Sequence, residues 1–437
     1  MTYHNAIKYI LTSPQRNGAS GTGADSFERV RLICARLGSP EKRLKYIRFA
    51  GSNGKTVCQT MLESVLHAAG IKVGSLLMPV SAEPRENVRI GRVPLAMEEV
   101  VRYVSAIVAA VNELKSEETE KDESSNGKKT DLDLTPTKNE MIFLVALLAF
   151  RDADCDICLI ECEHNSADPT KMLAPPYAAI ICGAIPAENT REANKIRSYL
   201  LGGMTEVVSA PQDPDTYKII SSACARVNCR LSVPTRSMLS IERMTLGGSE
   251  FVYRGERYSL SLPGRFQINN ATTVIEAVRM LNRSGADISA DALRRGLAGV
   301  SIKSKFEALS VLPTIISDST HKTEAVEAMC ETLADFKVQT GNVMKLCIPA
   351  DAQLIKAYLE KLASLGYEVT ELIIPYFEKN APAPSIDFDG KITVCQTAKA
   401  CAKHVVSASR EGGFTLLTAP ITVGEKLRDE IIKILQF

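Results

Sequence analysis

The sequence lacks any run of about 18 consecutive apolar residues, the length that a helix needs to cross a membrane. It also lacks a surplus of charge, because 52 basic and 51 acidic residues leave a formal net charge of +1. Bulk electrostatics therefore predict no nucleic-acid or membrane partner. The start, MTYHNAIKYILTSPQRNG, lacks the apolar core of a secretory signal, so we expect a cytoplasmic protein.

Disulfides are not expected either, although the chain contains 12 cysteines. Many lie within apolar runs such as CDICLIEC, where reduced thiols pack as small hydrophobic side chains. The spacing of Cys155, Cys158 and Cys162 in this run resembles a metal cluster. Residues three apart in a strand point to opposite faces, however, so buried core cysteines are favoured over a zinc site.

The length of 437 residues predicts two or three domains rather than a single core. Strand and helix patterns alternate as in a parallel sheet with crossover helices. One later segment, RLSVPTRSMLSIERMTLGGSEFVYRGERYSLSLPG, instead alternates and turns like antiparallel hairpins. We therefore predict an α/β fold, with a mainly parallel sheet and a small antiparallel sheet in residues 1–303. A Rossmann-like α/β domain is predicted for residues 304–437.

Residues 115–134 interrupt this pattern. Their sequence, beginning KSEETEKDESSNGKKTDLD, is charged and rich in hydroxyl side chains, and it has almost no apolar content. Such a composition cannot bury enough apolar surface to fold, so we predict a disordered, solvated loop within the first domain.

The segment FAGSNGKTVCQTMLESVLHAAG, residues 49–70, has the pattern of a strand end, a tight glycine turn and a helix. Backbone N–H groups at such a turn and the positive end of the helix attract an anion. Lys55 would add a point charge for the β- and γ-phosphates, and the Thr56 hydroxyl would face a magnesium ion. The eight-residue Walker motif is incomplete, because Phe49 takes the place of its first glycine. The pattern that remains favours a nucleotide site and consists of Gly51, Ser52, Asn53, Gly54, Lys55 and Thr56.

This segment and three later ones resemble the folylpolyglutamate synthases of the Mur ligase superfamily. FERVRLICARLGSPEKRLKYIRFAGSNGKT is similar to the segment that carries the family's glycine motif, usually GTNGKGS. LPGRFQINNATTVIEAV is similar to LPGRHQIENAATA, SKFEALSVLPTIISDSTHKTEAV to GRFEVL and ILDGAHNPEA, and TAPITVGE to GSLYLVGE. The resemblance extends from about residue 5 to the C-terminus. It implies a Mur-ligase-like, ATP-binding P-loop domain followed by a smaller domain that binds an amino acid.

The resemblance also implies an activity in one-carbon metabolism. The family uses ATP to join glutamate to a folate carboxyl through an acyl phosphate, and it releases ADP and phosphate. The cofactors so implied are ATP and Mg²⁺, and the substrates are a folate-like carboxylate and an amino acid. We expect the chain to be a monomer.

Several family residues have a counterpart in this sequence. Lys55 matches the phosphate-binding lysine, and Glu161 in LIECEHNSADPT matches the magnesium-binding glutamate. Asn270 matches an asparagine near the adenine, while Asp318 and His321 in DSTH match residues that approach the nucleotide from the C-terminal domain. The implied catalytic residues are Lys55, Glu161 and His321. The implied metal ligands are Thr56 and Glu161. The implied nucleotide-binding residues are those of the glycine motif with Asn270, Asp318 and His321.

Each of these positions also has a structural interpretation. Asn270 is suited to the N-cap of a helix, and Asp318 and His321 to a turn or a cap. Glu161 ends an apolar strand, where an unpaired carboxylate costs several kcal/mol, so contact with a metal or a lysine is favoured. Glu140, in TKNE, matches a further glutamate of the family.

The second metal site of the family is altered here. Met78 stands where a metal-binding serine is expected, and a thioether is a poor ligand for Mg²⁺. Phe266 replaces a histidine, and Leu200 aligns with the family's carbamylated lysine. The second site is therefore expected to be lost, or rebuilt with groups such as Glu163, His164, Asp168 or Glu188. These departures favour an alternative function, that of a nucleotide-binding paralogue which has lost ligation and serves a regulatory or partner-binding role.

Overall fold

The computed structural model divides the chain into two compact units, Met1–Thr235 with Asn270–Leu297 and Arg236–Asn269 with Ala298–Phe437. The functional domain boundary predicted at residues 303 and 304 stays a prediction. In the described part of the chain, no helix combines the length and the apolar character needed to span a bilayer. The described residues are 1–14, 23–51, 53–81, 83–124, 132–162, 168–173, 178–183, 185, 206–320, 323–377 and 386–436.

The regular elements are numbered in chain order. The helices are α1 (Tyr3–Thr12), α2 (Gly23–Arg36), α3 (Lys55–Ala68), α4 (Met97–Ser124), α5 (Lys138–Asp152), α6 (Pro214–Arg226), α7 (Arg265–Arg283), α8 (Ala290–Ala298), α9 (Thr323–Ala334), α10 (Lys337–Thr340), α11 (Ala352–Ser364), α12 (Ala398–Arg410) and α13 (Ile421–Leu435). The strands are β1 (Tyr46–Gly51), β2 (Val73–Leu76), β3 (Val88–Ile90), β4 (Val93–Pro94), β5 (Ile157–Glu161), β6 (Ala178–Cys182), β7 (Glu206–Ser209), β8 (Arg230–Ser232), β9 (Leu239–Thr245), β10 (Gly248–Tyr253), β11 (Glu256–Leu260), β12 (Glu307–Val311), β13 (Thr314–Asp318), β14 (Val343–Cys347), β15 (Glu368–Pro375), β16 (Lys391–Cys395) and β17 (Phe414–Thr418). Short 3-10 helices are Pro40–Arg43, Pro84–Asn87, Pro169–Met172 and Arg236–Met238.

The first unit is built on one sheet in the order β4-β3-β2-β5-β1-β6-β7-β8. The six neighbouring strands β2, β5, β1, β6, β7 and β8 run parallel to one another. The strands β3 and β4 form an antiparallel edge beside β2. All six residues of β1 are buried, as expected for a strand covered on both faces. Phe49 of β1 pairs in register with Glu161 of β5, so Glu161 reaches the same sheet edge as the glycine turn.

The second unit contains two sheets. The hairpins β9, β10 and β11 form the small antiparallel sheet that the sequence predicts. The other sheet has the order β12-β13-β17-β14-β15-β16, and it is parallel except for β12. The predicted fold class, with a mainly parallel sheet, a small antiparallel sheet and a further α/β sheet, is confirmed.

Part of the predicted disordered loop is helical instead. Residues 115–124 continue α4, while residues 125–131 lie outside the described residues. Glutamate and lysine are good helix formers, so a helix already started at Met97 extends through a charged sequence at little cost. Arg36 on α2 supports the extension, because it pairs with both Glu113 and Glu117. Lys115 and Ser116 are exposed, as the charged composition indicates, but exposure does not imply disorder.

All twelve cysteines are buried and free, as predicted. Among the described residues no group of three or more His, Cys, Asp or Glu side chains has the arrangement of a metal site. Cys155 and Cys158 do not lie on opposite faces of a strand as predicted, because their side chains interact. Cys155 precedes β5, which begins only at Ile157, so strand alternation does not apply to it.

Helix α3 is fixed to the sheet by a buried polar face. Gln59 Nε2 donates to the carbonyl oxygens of Leu76 (2.9 Å) and Leu159 (3.2 Å), and so ties the helix to β2 and β5. One turn further, Glu63 is fully buried, and Arg89 Nη1 lies 3.7 Å from its Oε2. Burial raises the pKa of Glu63 above its ordinary value of 4.5, because the charged form loses hydration.

We expect Glu63→Gln to become stabilising relative to the native chain as pH rises above 4.5. A carboxyl with a raised pKa contributes stability below its unfolded pKa and loses it as pH rises through the folded pKa. Glutamine does not titrate, so the variant escapes this loss. Urea unfolding from pH 4 to pH 8 measures the difference, with the exposed Glu360→Gln as control. A difference in unfolding free energy that is independent of pH would contradict this expectation.

Candidate nucleotide site

The glycine turn lies between the end of β1 at Gly51 and the start of α3 at Lys55. Gly51 and Gly54 have φ values of +120° and +80°, which side chains rarely adopt. A Cβ atom on Gly51 would lie 2.1 Å from the carbonyl oxygen of Cys182, and one on Gly54 would lie 2.9 Å from Asn270 Oδ1. Gly54 caps α3 and has no side chain that could accept a hydrogen bond from the N–H groups of the first turn. Such N–H groups at a helix start are suited to bind an anion.

The structure brings Lys55, Thr56 and Glu161 together at this turn. Lys55 Nζ donates to the Gly51 carbonyl at 2.9 Å, so its ammonium lies over the loop. The Thr56 hydroxyl donates to Glu161 Oε2 at 3.0 Å, and the Met78 backbone N–H donates to the same oxygen at 3.3 Å. Glu161 is 5% exposed, so its carboxylate is held in place by partners rather than by solvent. Ser52, which belongs to the predicted motif, lies outside the described residues.

Asn270 also lies at this turn. It is buried, and its amide oxygen is the group that a side chain on Gly54 would strike. Helix α7 begins at Arg265, so the N-cap interpretation of Asn270 is wrong. Asparagine has a low helix propensity, so helix formation does not explain Asn270. Its distinguishing feature is its position beside the glycine turn.

Asp318 lies in the second unit, at the end of β13. Its Oδ2 accepts from the Phe306 N–H at 2.7 Å, and its Oδ1 accepts from the Thr320 N–H at 2.8 Å. These hydrogen bonds match the interpretation of Asp318 as a turn residue. His321 lies outside the described residues, so its predicted role stays a prediction.

Glu140 has a structural role. It completes a capping box with Thr137 at the start of α5, and it forms a buried ion pair of 2.8 Å with Arg29 on α2. Ser26 donates a further hydrogen bond of 2.6 Å to it. This network holds α2 against α5.

A small pocket adjoins Glu161 on the side of α5. Sequence reasoning singled out Met78, Glu161 and Asp168, but it did not predict that they line one pocket, because the lining residues are far apart in the chain. Asn139 lies within the TKNE segment of the resemblance, and Thr170 is the last residue of the LIECEHNSADPT segment that contains Glu161. The pocket is lined by Leu76, Met78, Asn139, Phe143, Glu161, Asp168, Pro169 and Thr170.

The positions expected for a second metal site give a mixed result. Asp168 lines the pocket with Glu161, but its Oδ1 caps the short helix after it by accepting from the Thr170 N–H at 2.9 Å. Met78 is buried and also lines the pocket, and Phe266 is 40% exposed in the second unit. The remaining positions lie outside the described residues and are Glu163, His164, Glu188 and Leu200.

The residues present fit a magnesium nucleotide. The hydroxyl of Thr56 and the carboxylate of Glu161 supply hard oxygen donors 3.0 Å apart, which is the chemistry that Mg²⁺ prefers. The glycine turn, whose backbone approaches its neighbours too closely for any side chain, fits a phosphate chain.

A parallel sheet whose central strand leads through a glycine turn into a helix is the arrangement typical of P-loop nucleotide-binding proteins. No protein-family model matches the sequence. The chain is 25% identical over 363 residues to the dihydrofolate synthase/folylpolyglutamate synthase of Mycobacterium tuberculosis, covering 77% of this chain and 72% of that protein. The predicted resemblance to the folylpolyglutamate synthases is confirmed by sequence and by fold.

Two solved structures establish the likeness in fold. The folylpolyglutamate synthase of Thermotoga maritima superposes with a TM-score of 0.76 at 19% identity, covering 98% of this chain and 96% of that chain. A folylpolyglutamate synthase in complex with AMPPCP and folate gives a TM-score of 0.76 at 18% identity, covering 98% and 99% of the two chains.

Proposed function

We propose that this chain is an ATP-dependent ligase of the folylpolyglutamate synthase kind, which adds an amino acid such as glutamate to a carboxylate such as a folate. The observation that carries the proposal is the meeting of Lys55, Thr56 and Glu161 at the glycine turn. Curated relatives are named as synthases of this kind, and one neighbour in fold was solved with an ATP analogue and folate. The assignment of residues 304–437 to amino-acid binding rests on the resemblance alone.

The nucleotide is held by backbone and side chain together. The N–H groups at the start of α3 receive the phosphates, and the Lys55 ammonium moves from the Gly51 carbonyl to the β- and γ-phosphates. Thr56 and Glu161 would hold Mg²⁺, which would supply positive charge to the phosphate oxygens. The Met78 N–H and the Thr56 hydroxyl fix the orientation of the Glu161 carboxylate.

We assign only the reacting carboxyl group of the substrate to the small pocket beside Glu161, because its empty volume of about 210 Å³ cannot hold a whole folate. Apolar side chains such as Phe143 cover part of the wall, while Asn139 and Thr170 offer polar groups. The position of the pocket next to Glu161 places a bound carboxyl near the phosphates, and burial would protect an acyl phosphate from water.

A ligase assay tests this function. The purified chain with ATP, Mg²⁺, glutamate and a reduced folate is expected to release phosphate and form an amide only when both co-substrates are present. Other carboxylates and amines are screened in parallel. Nucleotide binding without turnover on any pair would overturn the ligase function.

That outcome would favour the second candidate, a nucleotide-binding paralogue without ligase activity. The observation behind it is Met78, whose thioether lies in the pocket next to Glu161, where magnesium chemistry would favour an oxygen ligand. The paralogue would bind ATP through the same turn and show no phosphate release.

We expect Glu161→Gln to lower kcat at least about 100-fold, because a metal ion supplies several kcal/mol of transition-state stabilisation. The neutral amide still accepts hydrogen bonds from Thr56 and Met78, so the unfolding free energy should change little. Turnover as a function of Mg²⁺ concentration provides the measurement, and Glu113→Gln, with a side chain 60% exposed, is the matched control. A kcat within twofold of the native value at every Mg²⁺ concentration would remove Glu161 from the metal site.

A further inference from the structure

We propose that Arg48 is a positioning residue for the substrate pocket, because it holds the segment 168–173, whose first three residues form one wall of the pocket. This inference rests on the proposed function, because it assigns the pocket to the carboxylate substrate. Arg48 does not line the pocket. It acts through the segment that does.

The placement of Arg48 demands an explanation. It lies in the middle of β1, whose residues are all buried, and only 5% of it is exposed. A guanidinium in such a place is costly unless its donors are bonded. Its Nε has no hydrogen-bond partner among the described residues, so the bonds made by Nη2 are what the burial of this guanidinium provides.

Its contacts converge on one short segment. Nη2 of Arg48 donates to the carbonyl oxygen of Thr170 and to that of Leu173, the latter at 3.1 Å. These carbonyls belong to the 3-10 helix Pro169–Met172 and to the residue that ends it. Arg48 therefore donates to two carbonyl oxygens at the end of this 3-10 helix.

The same segment forms one side of the pocket. Asp168, Pro169 and Thr170 line it, and Asp168 begins the turn by accepting from the Thr170 N–H at 2.9 Å. The Leu173 N–H closes the turn by donating to the Thr170 carbonyl at 3.2 Å, the oxygen that Arg48 also binds. Loss of the guanidinium leaves this carbonyl with one donor and the Leu173 carbonyl without its Arg48 donor, so the wall shifts.

Arg48 thereby affects the two substrates differently. It is three residues from Gly51 in sequence, yet its side chain bonds only the pocket wall among the described residues. The glycine turn keeps its own contacts, including the Lys55 hydrogen bond to Gly51. A change at Arg48 should therefore alter the KM for the carboxylate and leave the KM for ATP unchanged.

Steady-state kinetics of Arg48→Met and Arg48→Lys test this separation. We expect Arg48→Met to raise the KM for the carboxylate at least about tenfold, the effect of losing buried hydrogen bonds. The KM for ATP should stay within twofold. Arg48→Lys should recover part of the loss, because an ammonium can donate to both carbonyls. Arg151→Met is the control, since Arg151 also donates to a carbonyl, that of Leu37 at 2.9 Å, but from the far end of α5.

Hydrogen exchange provides a readout that needs no ligase activity. The amides of Thr170 and Leu173 should exchange faster in both Arg48 variants, while those of residues 53–58 should be unchanged. Faster exchange can be measured even if the native chain has no ligase activity. The role of Arg48 can therefore fail or hold independently of the proposed function. Unchanged exchange over residues 168–173, or equal rises in both KM values, would overturn the role of Arg48. If Arg48→Met does not fold, Arg48→Lys alone decides the question by the same two measurements.

Discussion

Replacement of Lys55 by methionine is expected to weaken ATP binding by about 30-fold to about 3,000-fold. Loss of one partner of a buried ion pair costs about 2 to 5 kcal/mol, and each 1.4 kcal/mol is a factor of ten in affinity. In the ligand-free chain the ammonium bonds only the Gly51 carbonyl among the described residues. Its removal should therefore change the unfolding free energy far less than the binding free energy.

Calorimetric titration with AMPPCP and Mg²⁺ measures this effect. Lys218→Met is the control, because Lys218 lies in the same unit with a side chain that is 75% exposed. Methionine keeps most of the length of lysine, so the comparison isolates the charge. Equal affinities for the Lys55 variant and the control would show that Lys55 does not bind the phosphates.

Replacement of Gly51 by alanine should be the most destabilising single change at the turn, at about 3 to 5 kcal/mol. A Cβ atom would lie 2.1 Å from the Cys182 carbonyl oxygen, so the backbone of β1 or β6 has to move. The φ of +120° adds strain of its own. Overpacking in a rigid interior and a strained backbone each cost about 1 to 3 kcal/mol.

Gly70→Ala separates the two contributions. Gly70 follows the same helix, has a φ of +77° and has no atom within 4 Å of its virtual Cβ, so only strain of about 1 to 2 kcal/mol is expected. Urea unfolding of both variants gives the comparison. If Gly51→Ala were no less stable than Gly70→Ala, the close contact between Gly51 of β1 and Cys182 of β6 would be contradicted.

The elements with strong local signals could be predicted from the sequence. The apolar run before the glycines gives β1, and the helical spacing after them gives α3. The meeting of Thr56 and Glu161 follows from a rule about sheets, since parallel strands end at one edge. The resemblance supplied Asn270, whose position beside Gly54 no local pattern indicates.

The errors and omissions arise where tertiary contacts decide. Asn270 resembles an N-cap in isolation, but α7 starts five residues earlier. Residues 115–124 have a composition typical of disorder, yet they continue a helix that pairs with Arg36 on α2. Arg48 interrupts an apolar strand without any motif, because its partners lie more than a hundred residues away. Local sequence carries no record of such partners.

The most direct test of the nucleotide site is a crystal structure of the chain with AMPPCP and Mg²⁺. We expect phosphate groups within hydrogen-bond distance of the backbone N–H groups at the start of α3 and of Lys55 Nζ, with a metal ion at the oxygens of Thr56 and Glu161. A nucleotide bound elsewhere, or a glycine turn that remains empty at millimolar nucleotide, would contradict this expectation.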